Sequence, residues 1–365
     1  MYTNISRKVY HSLLDLKMGF PIVVKLKNNE FVIICSSETI TTNSLLMMEN
    51  FSNSSLSIVL NKYRMEYLFK KPFNYDLYAI SFSNKLSVSL CNKLSFSKIN
   101  KDSNLMEKAI ISLEKRVEIS NVIDLMRKDH SIPSIIIGNL NNEVIDKNNN
   151  LKLKKITVID HSDLTINSVE NDKLKLISRT DLPLQSCKKT EIASFRSSNR
   201  KKEFFALIFK NGDNQEIPLV RIHSQCITGD LLDSLKCDCG SQLKSAINMM
   251  SLNGGIILYM PEEGRNIGFF NKIRAYDFQF HGLDTVDANL ALGFDSDQRD
   301  YFAASEMLKL LGIHRISLLS NNPDKLSKLE RNGIVVEKCV QLKVGISNEA
   351  KNYLRTKKIR SGHNL

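Results

Sequence analysis

A chain of 365 residues, 42% of them hydrophobic, has room for about two domains and enough apolar material for ordinary buried cores. Its formal net charge of +12 favours anionic partners in general, yet Lys and Asn are spread along the whole length and Trp is absent, so a solvated basic surface is expected and no nucleic-acid partner. The seven cysteines are odd in number, the first residues lack a signal peptide's apolar core, and no run approaches the roughly 18 apolar residues of a membrane span, which predicts a reducing cytoplasmic setting without a membrane partner.

In chain order, 1–171 reads as one mixed α/β domain. Residues 22–26 and 31–35 are short β-rich runs joined by the turn residues Lys27-Asn-Asn-Glu30. Apolar spacing predicts a helix over 105–126, and 132–140 is a buried strand entered through Pro133. A polar loop follows at 147–150, then a strand at 156–159. The stretch 167–202 is polar, basic and weakly structured, with the domain boundary placed near Asn171, just before a strand-like 174–177. The second domain, 172–365, opens with strands at 204–209 and 217–223, joined by the hairpin signal Asn211-Gly-Asp-Asn214. Then come a helix over 242–252 that stops at Asn253-Gly-Gly255, a strand at 256–260, a helix over 299–311 and a strand at 316–319. A helix over 323–331 with Pro in its first turn and a strand at 334–336 complete the pattern. The fold class is mixed α/β, in two α/β domains.

The chemistry concentrates in the second domain. Cys226, Cys237 and Cys239 have metal-ligand spacing, because three thiols can hold a zinc and leave its fourth position to water. A closed structural knuckle completed by His223 or Cys187 is the alternative. Thr228-Gly-Asp230 and Gly240-Ser-Gln242 surround the thiols with small polar residues that leave room for a ligand. In a chain with few cysteines, such a cluster points to metal chemistry and away from disulfides.

The run Arg221-Ile-His-Ser-Gln-Cys-Ile-Thr-Gly-Asp230, continuing to Cys237-Asp-Cys-Gly240, resembles the zinc motif of the GTP cyclohydrolase II family. Four more blocks match in order: Glu263 to Gly268, Asn271 to Tyr276, Asp284 to Asn289 with Leu292 to Asp300, and Leu318 to Lys325. The resemblance implies hydrolysis of GTP at a cyclic amidine C–N bond. The products would be 2,5-diamino-6-(5-phosphoribosylamino)pyrimidin-4(3H)-one, formate and pyrophosphate, in the first step of riboflavin synthesis. It implies one zinc per subunit on Cys226, Cys237 and Cys239, magnesium with the GTP phosphates, and a homodimer with a GTP cyclohydrolase II-like mixed sheet. It places Arg221, Ile222, His223, Ser224, Gln225, Gln242, Glu263, Gly264, Arg265, Thr285, Ser320 and Lys325 around the nucleotide. Arg299 is then the nucleophile at the α-phosphate, Asp297 the proton acceptor, and Tyr276 an orienting group near the base.

Three departures stand out. Gln225 replaces the usual Glu beside the first thiol, Met260-Pro-Glu262 replaces His-Arg-Gln, and Ser320 replaces Thr. His281 and His314 receive no role. More faintly, the first half resembles 3,4-dihydroxy-2-butanone 4-phosphate synthase in Ile132 to Leu140 and Ile156 to Leu164. The loop after its first strand keeps Glu30 but little other acid. Glu118 falls where that family has a histidine and Asn139 where it has a carboxylate, and a neutral amide cannot supply the charge a magnesium site uses. The expectation is a degenerate, non-catalytic synthase fold serving as dimer scaffold or regulatory platform. Two other readings of the whole chain remain: a zinc-stabilised protein that binds nucleotide or RNA without turnover, and a bifunctional enzyme.

Overall fold

The computed structural model describes residues 4–98, 107–141, 144, 156–166, 173–197, 202–211, 216–299, 301–342, 344, 355–356 and 359–360. The chain divides into two compact units. The first is Met1–Glu170 with Ile273–Leu283 and Asp287–Ser296; the second is Asn171–Lys272 with Asp284–Val286 and Asp297–Leu365. The polar loop at 147–150, the turn residues 212–214 and Asn171 itself lie outside the described residues.

The first unit holds β1 (Ile22–Lys25), β2 (Phe31–Ser36), β3 (Ser57–Asn61), β4 (Leu77–Ser81), β5 (Ile110–Leu113), β6 (Ser134–Asn139) and β7 (Val158–Asp160). They form one sheet in the order β5-β4-β3-β6-β2-β1-β7, antiparallel except where β7 runs parallel to β1. β2 shows why its run is apolar throughout. Val32 and Ile34 join one core with helices Asn4–Lys17 and Val117–Lys128, while Phe31, Ile33 and Cys35 join a second core with helix Thr42–Phe51. A strand covered on both faces cannot alternate with polar residues.

The helix expected over 105–126 is corrected. Ile110–Leu113 pairs with β4, and only Val117–Lys128 is helical. The apolar pair Ile110-Ile111 followed by Leu113 satisfies helix and strand spacing equally, and the β4 edge decides between them.

The second unit adds β8 (Leu174–Asp181), β9 (Thr190–Ser197), β10 (Glu203–Phe209), β11 (Leu219–Ser224), β12 (Gly255–Met260), β13 (Arg315–Leu319) and β14 (Val335–Val340). The sheet order is β14-β13-β11-β12-β10-β9-β8. β14, β13, β11 and β12 are parallel, and the remaining pairs are antiparallel. One face packs on helix Phe302–Leu310 through Ile222, Leu258 and Met260; the other packs on helix Cys239–Asn253 through Ile257 and Leu319.

Three more expectations are corrected here. The passage 167–202 contains two eight-residue strands, β8 and β9. β8 is exposed at every position after Leu174, so its polar sequence reflects an edge and not a loop. β10 and β11 do not form a hairpin, because β12 lies between them. The helix expected from Arg299 begins at Phe302, after Tyr301 in the left-handed region at φ 60°. No helix among the described residues is long and apolar enough to cross a membrane.

Candidate functional site

Parallel strands end on the same side of a sheet, and in open α/β sheets ligands gather outside those carboxyl ends. In the second unit β11 ends at Ser224, β12 at Met260 and β13 at Leu319, so Gln225 and Cys226, Pro261 to Glu263, and Ser320 all leave the sheet at that edge. Strand alternation then sorts the β11 side chains, putting Arg221 and His223 on one face and Ile222 and Ser224 on the other.

Cys226 follows β11 directly, Cys237 lies in the next loop, and Cys239 begins helix Cys239–Asn253. Their sulfur atoms lie within 4.8 Å of one another, the single such His/Cys/Asp/Glu group among the described residues, with Cys226 Sγ 3.6 Å from Cys237 Sγ. A tetrahedral zinc with Zn–S bonds of about 2.3 Å sets its ligands about 3.8 Å apart, so the donor set fits such an ion and leaves a fourth position open. Hydrogen bonds from Cys237 and Cys239 act against burial and, with the ammonium of Lys272, hold the Cys226 thiol far below its ordinary range, while the bond to Cys226 pushes its partner Cys237 up to about 11.

The cradle depends on glycine. A Cβ at Gly229 would stand 3.0 Å from Cys226 Sγ and 3.1 Å from both Cys237 Sγ and Cys239 Cβ. Gly229→Ala should therefore lower metal affinity by about tenfold or more while the fold survives. Metal content after dialysis against a chelator checks this, and undiminished retention would refute the account.

Around Cys226 the polar contacts are dense. Asp230 Oδ2 accepts from the Cys226 backbone N–H at 3.0 Å and from the Tyr259 hydroxyl at 2.9 Å. The same carboxylate holds His223 Nε2 at 3.0 Å, and burial pulls that imidazole below its ordinary pKa, so it stays neutral. Glu263 Oε2 accepts from the Ile227 N–H at 2.7 Å, and Lys272 Nζ donates to Glu263 Oε1 at 2.6 Å and to Cys226 Sγ at 3.1 Å. Behind the thiols, Arg221 Nη2 donates to Gln242 Oε1 and Gln242 Nε2 to Asp238 Oδ2, both at 2.6 Å. Arg221 Nε and His223 Nδ1, on the same face of β11, are buried without a partner among the described residues.

The other face carries a second charged set. Arg299 grips Asp297 with two parallel bonds, Nε to Oδ1 at 2.9 Å and Nη2 to Oδ2 at 2.5 Å. Burial alone would raise the Asp297 carboxyl, but the guanidinium overrides it and brings the pKa down to about 2. Burial works to lower Arg299, and Tyr301 and Asp297 beside it more than reverse that, so the guanidinium is held well above its ordinary value. Arg299 Nη1 also reaches Ser224 Oγ at 3.3 Å, and Ser224 Oγ donates to Glu262 Oε2 at 3.2 Å. The buried Tyr301 ring has Arg299, Lys325 and Lys328 cations 5.5–5.7 Å from its centroid. Lys325 Nζ donates to the Ile222 carbonyl at 2.8 Å. Gly264 and Arg265 both take left-handed backbone angles, φ 62°, in the turn after Glu263.

Of the residues expected from sequence, the second unit thus joins by direct contact the three thiols, Glu263, Gln242 with Arg221, and the Asp297–Arg299–Ser224 set. Thr285 opens helix Thr285–Ala291, and Tyr276 lies in the Ile273–Leu283 stretch of the first unit, outside the set joined here. The Gln225 backbone bonds the Met260 carbonyl. Sequence reasoning missed Lys272, Asp230, Tyr259 and Glu262. Each sat inside or beside a recognised block, but nothing in the spacing showed which would turn toward Cys226 or Arg299.

Thiols that can take one ion with a coordination position to spare, beside an anchored guanidinium, equip a metallohydrolase for a phosphorylated substrate. The GTP cyclohydrolase II family model matches residues 175–341. GTP cyclohydrolase-2 of Vibrio vulnificus is 48% identical over 176 residues, 48% of this chain and 89% of that protein. The Psychromonas ingrahamii protein of that name is 44% identical over 191 residues, 52% of this chain and 92% of that protein. Among solved structures, a two-domain 3,4-dihydroxy-2-butanone 4-phosphate synthase from A. baumannii covers 92% of this chain and 99% of its own at 12% identity and a TM-score of 0.33. The chain belongs to the GTP cyclohydrolase II family, and is a hydrolase of that family.

Proposed function

We propose that this chain hydrolyses GTP to 2,5-diamino-6-(5-phosphoribosylamino)pyrimidin-4(3H)-one, formate and pyrophosphate, as a cytoplasmic homodimer that binds neither nucleic acid nor membrane. The observation that carries this reading is the three-thiol cradle at the carboxyl ends of the parallel strands, one strand terminus from the Arg299–Asp297 pair. Cys226, Cys237 and Cys239 would hold zinc, which when bound supplies a water acidic enough to attack carbon 8 of guanine.

The chain's own groups do the rest. Arg221, Ile222, His223, Ser224 and Gln225 line the floor at the end of β11, with Gln242, Glu263, Gly264, Arg265, Thr285, Ser320 and Lys325 around the nucleotide. Arg221 and Arg265 offer guanidinium forks suited to the phosphate oxygens, with the Lys325 ammonium and magnesium beside them. Attack by Arg299 on the α-phosphorus would form an N–P bond as the α–β P–O bond breaks and pyrophosphate leaves, with Asp297, already in bidentate contact with the guanidinium, as the acceptor of the proton Arg299 sheds. Tyr276 orients a reacting group near the base. The unpaired Arg221 Nε donor and His223 Nδ1 acceptor support a polar ligand on that face, because buried polar atoms are normally paired.

Residues 172–365 would form the cyclohydrolase domain and 1–171 a non-catalytic synthase-like domain. Supporting the latter, Glu118 accepts from the Lys27 N–H at 3.0 Å and Asn139 from Arg116 at 3.3 Å, so both positions are occupied by internal bonds. Zinc-loaded full-length protein with GTP and magnesium tests the proposal. Formate and diaminopyrimidine should appear together, and tight GTP binding without formate would establish binding without turnover instead. Butanone phosphate formed from ribulose 5-phosphate would overturn the non-catalytic assignment of the first domain.

A further inference from the structure

We infer that Lys272 is a positioning residue of the metal centre, acting on the ligand Cys226 and anchored by Glu263; this rests on the zinc assignment above. Lys272 is 7% exposed and Glu263 5%, and burying a lysine so far from water is costly unless it is paired. Its ammonium donates both to the carboxylate and to the ligand. One bond runs to Glu263 Oε1 at 2.6 Å and the other to Cys226 Sγ at 3.1 Å.

Glu263 is equally committed. Its Oε1 also takes the Gly264 N–H at 3.1 Å, and its Oε2 takes the N–H of Ile227, the residue after the ligand, at 2.7 Å. Asp230 holds the N–H of Cys226 itself. The ligand is therefore pinned at its sulfur by Lys272, at its own amide by Asp230, and at the following amide by Glu263.

Groups that orient a metal ligand without touching the metal are part of the site, and losing one typically costs about 10- to 100-fold in metal affinity. An ammonium donating to a thiolate does this in two ways: it fixes the sulfur's direction and draws off charge that three thiolates would otherwise concentrate on one ion. A surface lysine would do neither, since it would be hydrated and mobile. The left-handed turn at Gly264 and Arg265 follows Glu263 immediately, so the clamp also sets where the backbone leaves the metal side for the cation side.

The alternative is that Lys272 and Glu263 form a buried ion pair with a purely structural task. Metal retention and melting temperature of the full chain, compared across Lys272→Met, Lys272→Arg and the double variant Lys272→Met with Glu263→Gln, separate the two. Lys272→Met should lose zinc to a competing chelator about 10- to 100-fold more readily than the parent. Lys272→Arg, which keeps a cationic donor, should recover most of that loss.

The double variant is the discriminating one. It leaves no unpaired buried charge, and the amide oxygen that Glu263→Gln retains can still accept from the Ile227 N–H, so the melting temperature should return toward the parent's while zinc retention stays low. In cobalt-loaded protein the thiolate-to-metal charge-transfer band should shift in both variants that lack the cation. Recovery of metal retention along with stability in the double variant, or an unshifted band in Lys272→Met, overturns the inference. A parent protein that binds no divalent metal at all overturns the zinc assignment and this inference with it.

Discussion

Cys237→Ser should abolish formate release from GTP and remove the bound metal, while the far-ultraviolet circular dichroism of the protein stays close to the parent's. In the proposed centre three thiolates would hold the ion, and a serine hydroxyl does not ionise near neutral pH to replace one of them. Losing an outer-shell partner already costs about 10- to 100-fold in affinity, so losing a ligand costs at least about 100-fold. The fold should survive because, among the described residues, the apolar clusters on the two faces of the second sheet, which run from β9 and β10 through β12 and β13 to the flanking helices, are built without Cys226, Cys237 or Cys239. Zinc per chain, formate yield and melting temperature are the three readings. A variant that unfolds on losing metal would make the ion structural, and one that keeps turning over GTP would remove the thiols from the chemistry altogether.

The same contrast between local and distant contacts explains how far the sequence could be read. The thiol cradle was legible because Cys226, Cys237 and Cys239 lie within one short stretch and their chemistry shows in residue type alone. The Asp297–Arg299 pair was legible for the same reason, being two residues apart. Helix Pro323–Arg331 appeared at its observed bounds because Asn322 caps it and Pro323 starts it. Lys272 was not legible as a metal-side group, because its partner Cys226 lies 46 positions away and only the fold brings them together.

Pairing failed where it was non-local. β10 and β11 are neighbours in sequence and carry turn residues between them, yet β12 inserts there from beyond a helix. β9 was missed because its buried residues, Thr190, Ala193, Phe195 and Ser197, include two hydroxyl side chains and one small one, which leaves little apolar alternation to read. The departures in this chain also changed meaning. Glu262, part of the run that replaces His-Arg-Gln, is 5% exposed and takes the Ser224 hydroxyl, so it sits one bridge from Arg299 and tempers the positive charge on that side. Gln225, beside the first thiol, contributes a backbone bond to the end of β12.

Asp297→Asn should lower turnover by about 10²- to 10³-fold and destabilise the protein, with the larger effect on kcat and little on zinc content. The carboxylate accepts three bonds from Arg299, from its backbone N–H at 3.1 Å, from Nε and from Nη2. Asparagine keeps the shape but loses the charge and turns one acceptor into a donor facing the guanidinium. A buried cation left without its partner costs about 3 kcal/mol.

Arg299→Lys separates geometry from charge, because lysine keeps the positive charge but not the planar fork that holds Asp297 and reaches Ser224. It should therefore fall nearly as far in kcat as Asp297→Asn while KM for GTP changes less. The parent's stability carries the signature of this pair. Asp297 is depressed to about 2 in the folded chain, against about 3.9 when unfolded, so its contribution is fully present above about pH 4 and is lost as the pH falls toward 2. Urea midpoints taken from pH 5 down to pH 2 should converge for parent and Asp297→Asn, since the variant has no carboxyl there to titrate. Parallel curves across that range would show that the Arg299 contact does not hold the carboxylate in solution, and equal kcat in the two proteins would take Asp297 out of the reaction.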